Sequence, residues 1–299
     1  MLFEAQPDMP PNSESKKPMT SLASGSGTAF KLTFEPFPQP QGPLTCAYVP
    51  WDSELFGFPF YELKCADAEP ELLSRHLGGG LDSLPRDRAC LVLTRLPPEQ
   101  TRIISILARH GFYPVETMLD FDLVLARLNI ILKHDRERYS LRRATPDDLP
   151  AVGDVACGAF AADRFHMDPN IPSDKADQRY ARWVENSFHT QDQVFVLEEK
   201  NPSRVIGFIQ CRDLAPGIVD VCLSAVHRDI QKSGAGVQMY QQLFLDYRAR
   251  GYRKAVTHVS INNLSGVKLT LRYGFTISNA TLCMHWFRPA GMTAGQAIG

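Results

Sequence analysis

The segment 226–236 restricts the fold more than any other part of the sequence. It lies between a strand-like apolar run that ends at Val226 and a helix-like run that begins at Gly234. A turn at a helix N-terminus presents unpaired backbone N–H groups and the positive end of the helix dipole, which suits a pyrophosphate. Gly234 and Gly236 would let the backbone approach such a ligand without a Cβ clash. In isolation a plain strand-to-helix turn is the simpler explanation of this segment. The position of the segment in the chain decides between the turn and the anion site.

That position favours the anion site. The pattern Gln-x-x-Gly-x-Gly is neither the Gly-x-Gly-x-x-Gly of a dinucleotide fold nor a P-loop, which needs Gly-Lys-Ser/Thr. Three strands with turn signals between them precede it and predict an antiparallel meander: Val194–Glu199, Val205–Arg212 and Val219–Val226. An amphipathic helix is predicted further upstream at Ser173–Ser187. Four elements follow the loop: helix Gly234–Arg250, strand Ala255–Ser260, helix Ser265–Tyr273 and strand Thr281–Phe287.

Composition shifts divide the chain into four segments and a linker. Residues 1–43 are rich in Pro, Ser, Gly and Lys and are predicted to be a disordered tail. Residues 44–132 read as a small N-terminal α/β domain, and the charged run Lys133–Arg138 as a linker. Residues 139–288 form the second domain, in which Thr145-Pro146 starts a helix that runs to about Phe160. Residues 289–299 are a C-terminal tail. The predicted class is α/β (α+β), with a central mixed, mostly antiparallel sheet.

One pattern occurs in both domains. His110-Gly111-Phe112 and Tyr273-Gly274-Phe275 each follow an amphipathic helix and lead into a strand. The N-terminal domain is therefore interpreted either as a reduced copy of the second domain or as an unrelated unit with a chance match.

Charge and cysteine usage exclude several classes of protein. The 299 residues hold 32 basic and 33 acidic side chains, which argues against a protein whose main role is binding a nucleic-acid backbone. The seven cysteines lie singly, a pattern that fits neither a disulfide framework nor a zinc site, and no metal-ligand cluster is visible. We expect a cytoplasmic protein without a secretory signal or a membrane span.

Two segments of the chain resemble motifs of a known family. Residues 226–236 are similar to motif A of the GNAT acetyltransferases, whose turn binds the pyrophosphate of coenzyme A, and 263–275 to motif B, which an Asn opens and Gly-Phe closes. The resemblance implies acetyl-CoA as co-substrate and direct acetyl transfer to an amine. It implies that a splayed strand edge pairs with the pantetheine arm and that the loop binds the pyrophosphate. The implied coenzyme contacts are Leu223, Ser224, Ala225, Val226, Gln231, Lys232, Ser233, Gly234, Ala235, Gly236 and Asn263.

The family's proton donor to the leaving thiolate is missing. A Tyr usually stands seven residues after the motif B Asn, and here that position is Thr270. A Thr hydroxyl is a much poorer proton donor than a phenol, whose pKa is about 10. Tyr273 lies nearly one helical turn further on and could reach the same space, or could pack before the Gly-Phe corner. A water held by Asn263 or Thr270 is the other alternative.

A second resemblance concerns the acceptor. The stretch Arg164-Phe165-His166-Met167-Asp168-Pro169 before the helix with Tyr180 and Trp183, together with 51–57, is similar to dTDP-fucosamine acetyltransferase and its relatives. It implies a nucleotide-linked amino sugar as acceptor. The predicted acceptor residues are Arg164, Phe165, His166, Arg179, Tyr180 and Glu54. Guanidinium groups suit a diphosphate, aromatic rings suit a base or sugar face, and His166 with Asp168 could relay a proton. Packing or surface solvation explains each of these residues as well.

Other functions remain compatible with the same motifs. The acceptor could be an amino acid, a peptide or an antibiotic amine, and the substitution at Thr270 is compatible with a non-catalytic acyl-CoA-binding module. A homodimer is expected only from the commonness of two-fold assemblies.

Overall fold

Alternating apolar side chains along ten strands build one continuous sheet. The computed structural model describes residues 44–131 and 138–291, so the predicted tail 1–43, nearly all of the predicted linker and residues 292–299 lie outside the described residues. The strand order is β1-β2-β3-β10-β4-β9-β8-β7-β6-β5. The strands are β1 Thr45–Tyr48, β2 Phe60–Lys64, β3 Cys90–Leu96, β4 Tyr113–Val124, β5 Tyr139–Arg143, β6 Gln193–Lys200, β7 Ser203–Ala215, β8 Ile218–Val226, β9 Lys254–Ser260 and β10 Thr276–Arg288. The helices are α1 Pro50–Phe56, α2 Pro70–Asp82, α3 Thr101–Arg109, α4 Leu149–Ala156, α5 Ser173–Ser187, α6 Ala235–Ala249 and α7 Leu264–Arg272.

Local sequence signals explain several element boundaries. Helix α5 spans the residues that its apolar periodicity predicts. Thr145 and Asp148 form a reciprocal capping box before α4. That helix ends at Ala156, earlier than the predicted Phe160, and β10 begins at Thr276 rather than at Thr281. The predicted class is confirmed: the sheet is mixed and mostly antiparallel, with β2–β3 and β8–β9 as its parallel pairs.

The two halves of the sheet are related by an approximate two-fold axis between β10 and β4. Strand β10 of the second half lies between β3 and β4, and β4 of the first half lies between β10 and β9. A shift of 163 residues, forward for Leu96 and backward for Leu282, converts the pair Leu96–Leu282 into the pair Val259–Leu119. This agreement in register favours the interpretation of the N-terminal unit as a copy. Because the halves exchange a strand, the predicted boundary between two domains stays a prediction.

In the described part of the chain, helices α2, α3, α6 and α7 cover one face of the sheet. Phe121 of β4 packs with Phe244 of α6 and with Tyr273, which follows α7. On the same face of the other half, Trp286 of β10 packs with Leu73 of α2. The alternate residues of the strands meet α1, α4 and α5 on the opposite face. The two faces therefore carry different helices, and the motif A and motif B helices α6 and α7 share one of them.

The described ranges contain no helix with both the length and the apolarity that a membrane crossing needs. Within the same ranges, no group of three or more His, Cys, Asp or Glu side chains is arranged to hold a metal ion.

Candidate active site

Strands β8 and β9 separate halfway along their length. They pair only from Ile218–Lys254 to Val221–Thr257. A register shift in the β7–β8 ladder follows at Cys222, so this residue forms a bulge. Bulges bend a strand and interrupt its pairing. The part of β8 beyond Cys222 stays paired with β7 but no longer with β9, and a wedge opens between the two strands. This wedge contains the predicted coenzyme residues Leu223, Ser224, Ala225 and Val226.

The loop after β8 has the backbone geometry of an anion site. Gly234 caps α6 at φ 89°, a left-handed conformation that glycine adopts without strain, and Lys232 is also left-handed at φ 67°. The Ala235 N–H is satisfied by the Ser233 hydroxyl at 3.2 Å. The N–H groups of the next two residues, Gly236 and Val237, have no hydrogen-bond acceptor in the described part of the chain. Unpaired N–H groups at the positive end of a 15-residue helix fit a pyrophosphate.

The first half of the sheet lacks this loop. Strands β2 and β3 pair up to Leu63–Thr94, in the arrangement of β8 and β9. The connection from β2 to α2 is short, contains no glycine and carries Asp67 and Glu69. Pro70, the first residue of α2, has no N–H to offer. The coenzyme site is therefore expected in the second half alone.

The predicted catalytic residues are engaged within the protein. Asn263 caps α7, and its side chain accepts a hydrogen bond from the Gly266 N–H at 2.9 Å. The Thr270 hydroxyl donates to the Gly266 carbonyl at 2.9 Å. The Tyr273 hydroxyl donates to the Val237 carbonyl of α6, and its burial raises its pKa. Each side chain thus has an internal partner, and its part in catalysis stays a prediction.

The predicted acceptor residues are mostly buried under α1 and α5. The Arg179 guanidinium bonds Asp52 at 2.8 Å and lies 4.2 Å from the centre of the Phe165 ring, and all three side chains are almost completely buried. Tyr180 is buried and stacks on Phe160 and Trp183. The Arg179–Asp52 bond attaches α5 to α1, and these contacts account for Arg179, Phe165 and Tyr180 as packing.

The remaining predicted acceptor residues also have partners. Arg164 is buried, and its Nη1 lies 3.8 Å from Glu116 Oε2. His166 is held between Asp163 at 2.5 Å and Asp177 at 3.3 Å. Glu54 is exposed and pairs with Arg182 at 3.4 Å. Of the six predicted acceptor residues, Glu54 is the one that is freely exposed to solvent. That these six residues bind the acceptor stays a prediction.

The Asp168 side chain forms no hydrogen bond with His166 in the described structure but belongs to a buried cluster with two residues from the exchanged strands. It accepts hydrogen bonds from His285 Nδ1 of β10 at 2.7 Å and from the Tyr113 hydroxyl of β4 at 3.0 Å. Both His285 and Asp168 have fully buried side chains. Burial lowers the pKa of His285. Burial raises the pKa of Asp168, but the hydrogen bond from His285 and the Asn170 N–H outweigh it, so that pKa is lowered.

This cluster predicts a loss of stability in mild acid. A depressed histidine pKa means that the unfolded chain takes up a proton first, so the contribution is present above about pH 6.5 and is lost as the pH falls. We expect urea unfolding at pH 5–7 to show a pH slope that His285→Gln reduces by at most about 1.4 kcal/mol per pH unit, the value for one proton. His189→Gln, an exposed control, should leave the slope unchanged. An unchanged slope in His285→Gln would contradict the assignment.

A polar cluster beside the wedge was not predicted from the sequence. His258 of β9 is one residue beyond the last β8–β9 pair, and its Nδ1 donates to Asp120 of β4 at 2.7 Å. Its Nε2 lies 3.6 Å from Asp220 Oδ1, a buried oxygen that has no hydrogen-bond partner within the described ranges. About a fifth of the His258 side chain is exposed, 19%. The signal was the alternation Asp-Phe-Asp-Leu from Asp120 to Leu123, which makes one face of β4 polar.

Burial lowers the pKa of His258, but the hydrogen bond to Asp120 and the negative charge of Asp220 outweigh it, so the pKa is raised. Asp120 carries a lowered pKa because the His258 hydrogen bond overcomes the effect of its burial. Asp120 is therefore ionised at neutral pH, and His258 keeps its proton on Nδ1 when it is neutral. Its Nε2 is then available to accept a proton.

Comparison with known proteins agrees with this geometry. Residues 161–275 match the Acetyltransferase (GNAT) family. The spore coat polysaccharide biosynthesis protein SpsD of Bacillus subtilis (strain 168) is 23% identical over 152 residues, which are 49% of this chain and 50% of that protein. This chain thus spans about half the length of its curated relative.

Solved structures show the same architecture. A GCN5-related N-acetyltransferase from Sphaerobacter thermophilus aligns with a TM-score of 0.59 at 14% identity, covering 83% of this chain and 78% of its own. A second GCN5-related N-acetyltransferase, from Kribbella flavida, aligns with a TM-score of 0.51 at 13% identity, covering 82% and 87%. Enzymes of this family are acyltransferases that take acetyl-CoA as co-substrate. The chain therefore has the GNAT fold, and its residues 161–275 are similar to the Acetyltransferase (GNAT) family.

Proposed function

We propose that this chain transfers the acetyl group of acetyl-CoA directly to the amine of a small polar molecule, and that this acceptor is a nucleotide-linked amino sugar. The observation that carries the proposal is the wedge between β8 and β9, directly followed by the glycine cap of α6. Within the described ranges, a strand edge without a partner and helical N–H groups without acceptors lie next to each other. Together they suit a ligand with an amide-containing arm and a pyrophosphate.

Bound acetyl-CoA would supply an activated thioester carbonyl. The Gly236 and Val237 N–H groups would hold the pyrophosphate, with Gln231, Lys232 and Ser233 exposed around it. The backbone of Leu223–Val226 would pair with the pantetheine arm, which places the acetyl group near the Cys222 bulge. A backbone N–H there would polarise the carbonyl.

The polar cluster provides a site for the amine. Glu116, Met118 and Asp120 alternate along β4 and share one face, and Arg164 contacts Glu116 on that face. His258 and Ser260 lie on the same face because they pair with Asp120 and Met118. An ammonium group would be attracted by the acidic side chains of this cluster. His258 Nε2 would remove its proton and leave the neutral amine that attacks the thioester.

Two observations support a sugar acceptor. The curated relative is named for spore coat polysaccharide biosynthesis, which is a carbohydrate process. The 164–169 stretch resembles nucleotide amino-sugar acetyltransferases. It borders the proposed amine site on β4 through the contact between Arg164 and Glu116. Amino acids, peptides and antibiotic amines remain the competing acceptors. The internal hydrogen bonds of Thr270 and Tyr273 are the observation that favours a non-catalytic acyl-CoA-binding module.

The test is free-thiol release from acetyl-CoA with a panel of amines that includes TDP- and UDP-linked amino sugars, amino acids, peptides and aminoglycosides. We expect turnover confined to nucleotide amino sugars.

Gly234→Val should raise the KM for acetyl-CoA about tenfold or more, because a β-branched residue is strained at φ 89° and that strain costs about 1–3 kcal/mol. Gly251→Val, a left-handed glycine with open space around it and remote from the wedge, is the control for strain alone. Binding of acetyl-CoA without thiol release from any amine would overturn the transferase in favour of the binding module.

A further inference from the structure

The proposed transfer needs a proton for the departing sulfur. Coenzyme A leaves as a thiolate, and general acid catalysis of such a step is typically worth 10²–10⁴-fold. Motif B offers Thr270 and Tyr273, but each hydroxyl donates its proton to a backbone carbonyl, of Gly266 and Val237 respectively. An acid on another element could protonate the sulfur without breaking either of these hydrogen bonds.

A different tyrosine reaches the wedge from α6. The Tyr240 hydroxyl lies 2.5 Å from the Ser224 hydroxyl. Ser224 belongs to the part of β8 that no longer pairs with β9, since the last pair of that ladder is Val221–Thr257. The phenol oxygen is thus fixed at the side of the wedge that α6 covers.

Neighbouring rings hold Tyr240 in place. Its ring centre is 5.6 Å from that of Phe244, one helical turn along α6, and 6.2 Å from that of Tyr273. Burial raises the pKa of Tyr240, and the hydrogen bond to Ser224 only partly offsets this effect. The phenol therefore keeps its proton at neutral pH and can donate it when a stronger base forms beside it.

We propose that Tyr240 is the catalytic acid that protonates the departing coenzyme A sulfur, and that Ser224 positions it. This inference rests on the proposed acetyl transfer and assigns a residue outside the motif B helix. In the step, the neutral amine forms the C–N bond, the C–S bond breaks and its electron pair goes to sulfur. The sulfur takes the Tyr240 proton to give the free thiol. The amine nitrogen loses its second proton to water, because His258 already holds the first, and the tyrosinate recovers a proton from solvent through Ser224.

The position of Tyr240 can be tested without an acceptor. We would measure by calorimetry the affinities of coenzyme A and of desulfo-coenzyme A, in which hydrogen replaces the thiol, for wild type, Tyr240→Phe and Tyr247→Phe. Tyr247 is on the same helix, and its hydroxyl bonds Gln193 away from the wedge at 3.3 Å. We expect Tyr240→Phe to lose about tenfold in affinity for coenzyme A, the value of one hydrogen bond to an ionisable group, and nothing for the desulfo compound. Tyr247→Phe should bind both like wild type.

Kinetics complete the test. With the best amine, Tyr240→Phe should lower kcat about 100-fold with little change in the KM for acetyl-CoA. Ser224→Ala should show a smaller loss in kcat. Normal coenzyme binding with an unchanged thiol preference, or an unchanged kcat, in Tyr240→Phe would overturn the assignment of the acid alone. Failure of wild type to bind either coenzyme compound would overturn the proposed function, and the acid with it.

Discussion

Replacing Arg179 with methionine is expected to lower the free energy of unfolding by about 3–5 kcal/mol, the usual cost of leaving one partner of a buried ion pair alone. The Arg179 and Asp52 side chains are 1% and 2% exposed, and the guanidinium also lies against the Phe165 ring. The variant would leave the Asp52 carboxylate buried without its partner. Urea unfolding at neutral pH, monitored by circular dichroism, measures the change.

The matched control for this prediction is Arg182→Met. Arg182 is on the same helix and pairs with the exposed Glu54 at 3.4 Å, with 42% and 76% of the two side chains exposed. Surface pairs of this kind contribute about 0–1 kcal/mol. If Arg179→Met is as stable as wild type and only the acceptor KM rises, Arg179 binds the acceptor as the sequence motif predicted, and the structural assignment is wrong.

Replacing His258 with asparagine is expected to lower kcat/KM for the amine about 100-fold, which is the lower range for a lost general base. In the wild type, kcat/KM should rise with pH as His258 loses its proton. The midpoint should lie above about 6.5, because Asp120 and Asp220 favour the charged ring. Asp120→Asn removes one of these charges and should move the midpoint to lower pH. Initial rates of thiol release from pH 5 to 9 measure both effects.

His189→Asn, on the exposed segment after α5, is the control and should keep the wild-type profile. Titration of the amine itself is common to all variants and cancels in the comparison. A His258→Asn enzyme with an unchanged rate, or a midpoint that Asp120→Asn does not move, would rule out the base.

The local parts of this fold were accessible from the sequence. Periodicity defined α5, and the glycines at 234 and 236 located the loop before α6, because both signals depend on neighbouring residues. The exchange of β4 and β10 was not accessible, since strand order depends on pairings between residues that are far apart in the chain. The repeated Gly-Phe corners were its one trace.

In the candidate site, the sequence predicted the backbone features but not the roles of the side chains. Backbone features such as the wedge and the αL cap follow from motif A, whereas side-chain roles depend on tertiary contacts. The 164–168 stretch has residue types that suit a sugar diphosphate, but Arg164 and Asp168 are used to attach it to β4 and β10. The His258 cluster joins three strands, and its members Asp120 and His258 are 138 residues apart in the chain, so no window of sequence displays it.

The exchanged strands also affect how the protein is made. During synthesis β3 and β4 emerge early, but they are not neighbours in the native sheet, because β10 lies between them. Their facing edges can find their native partner only after residues 276–288 have left the ribosome. We therefore expect a nascent chain that needs protection of two open strand edges for most of its translation, and a sheet that closes in one late step.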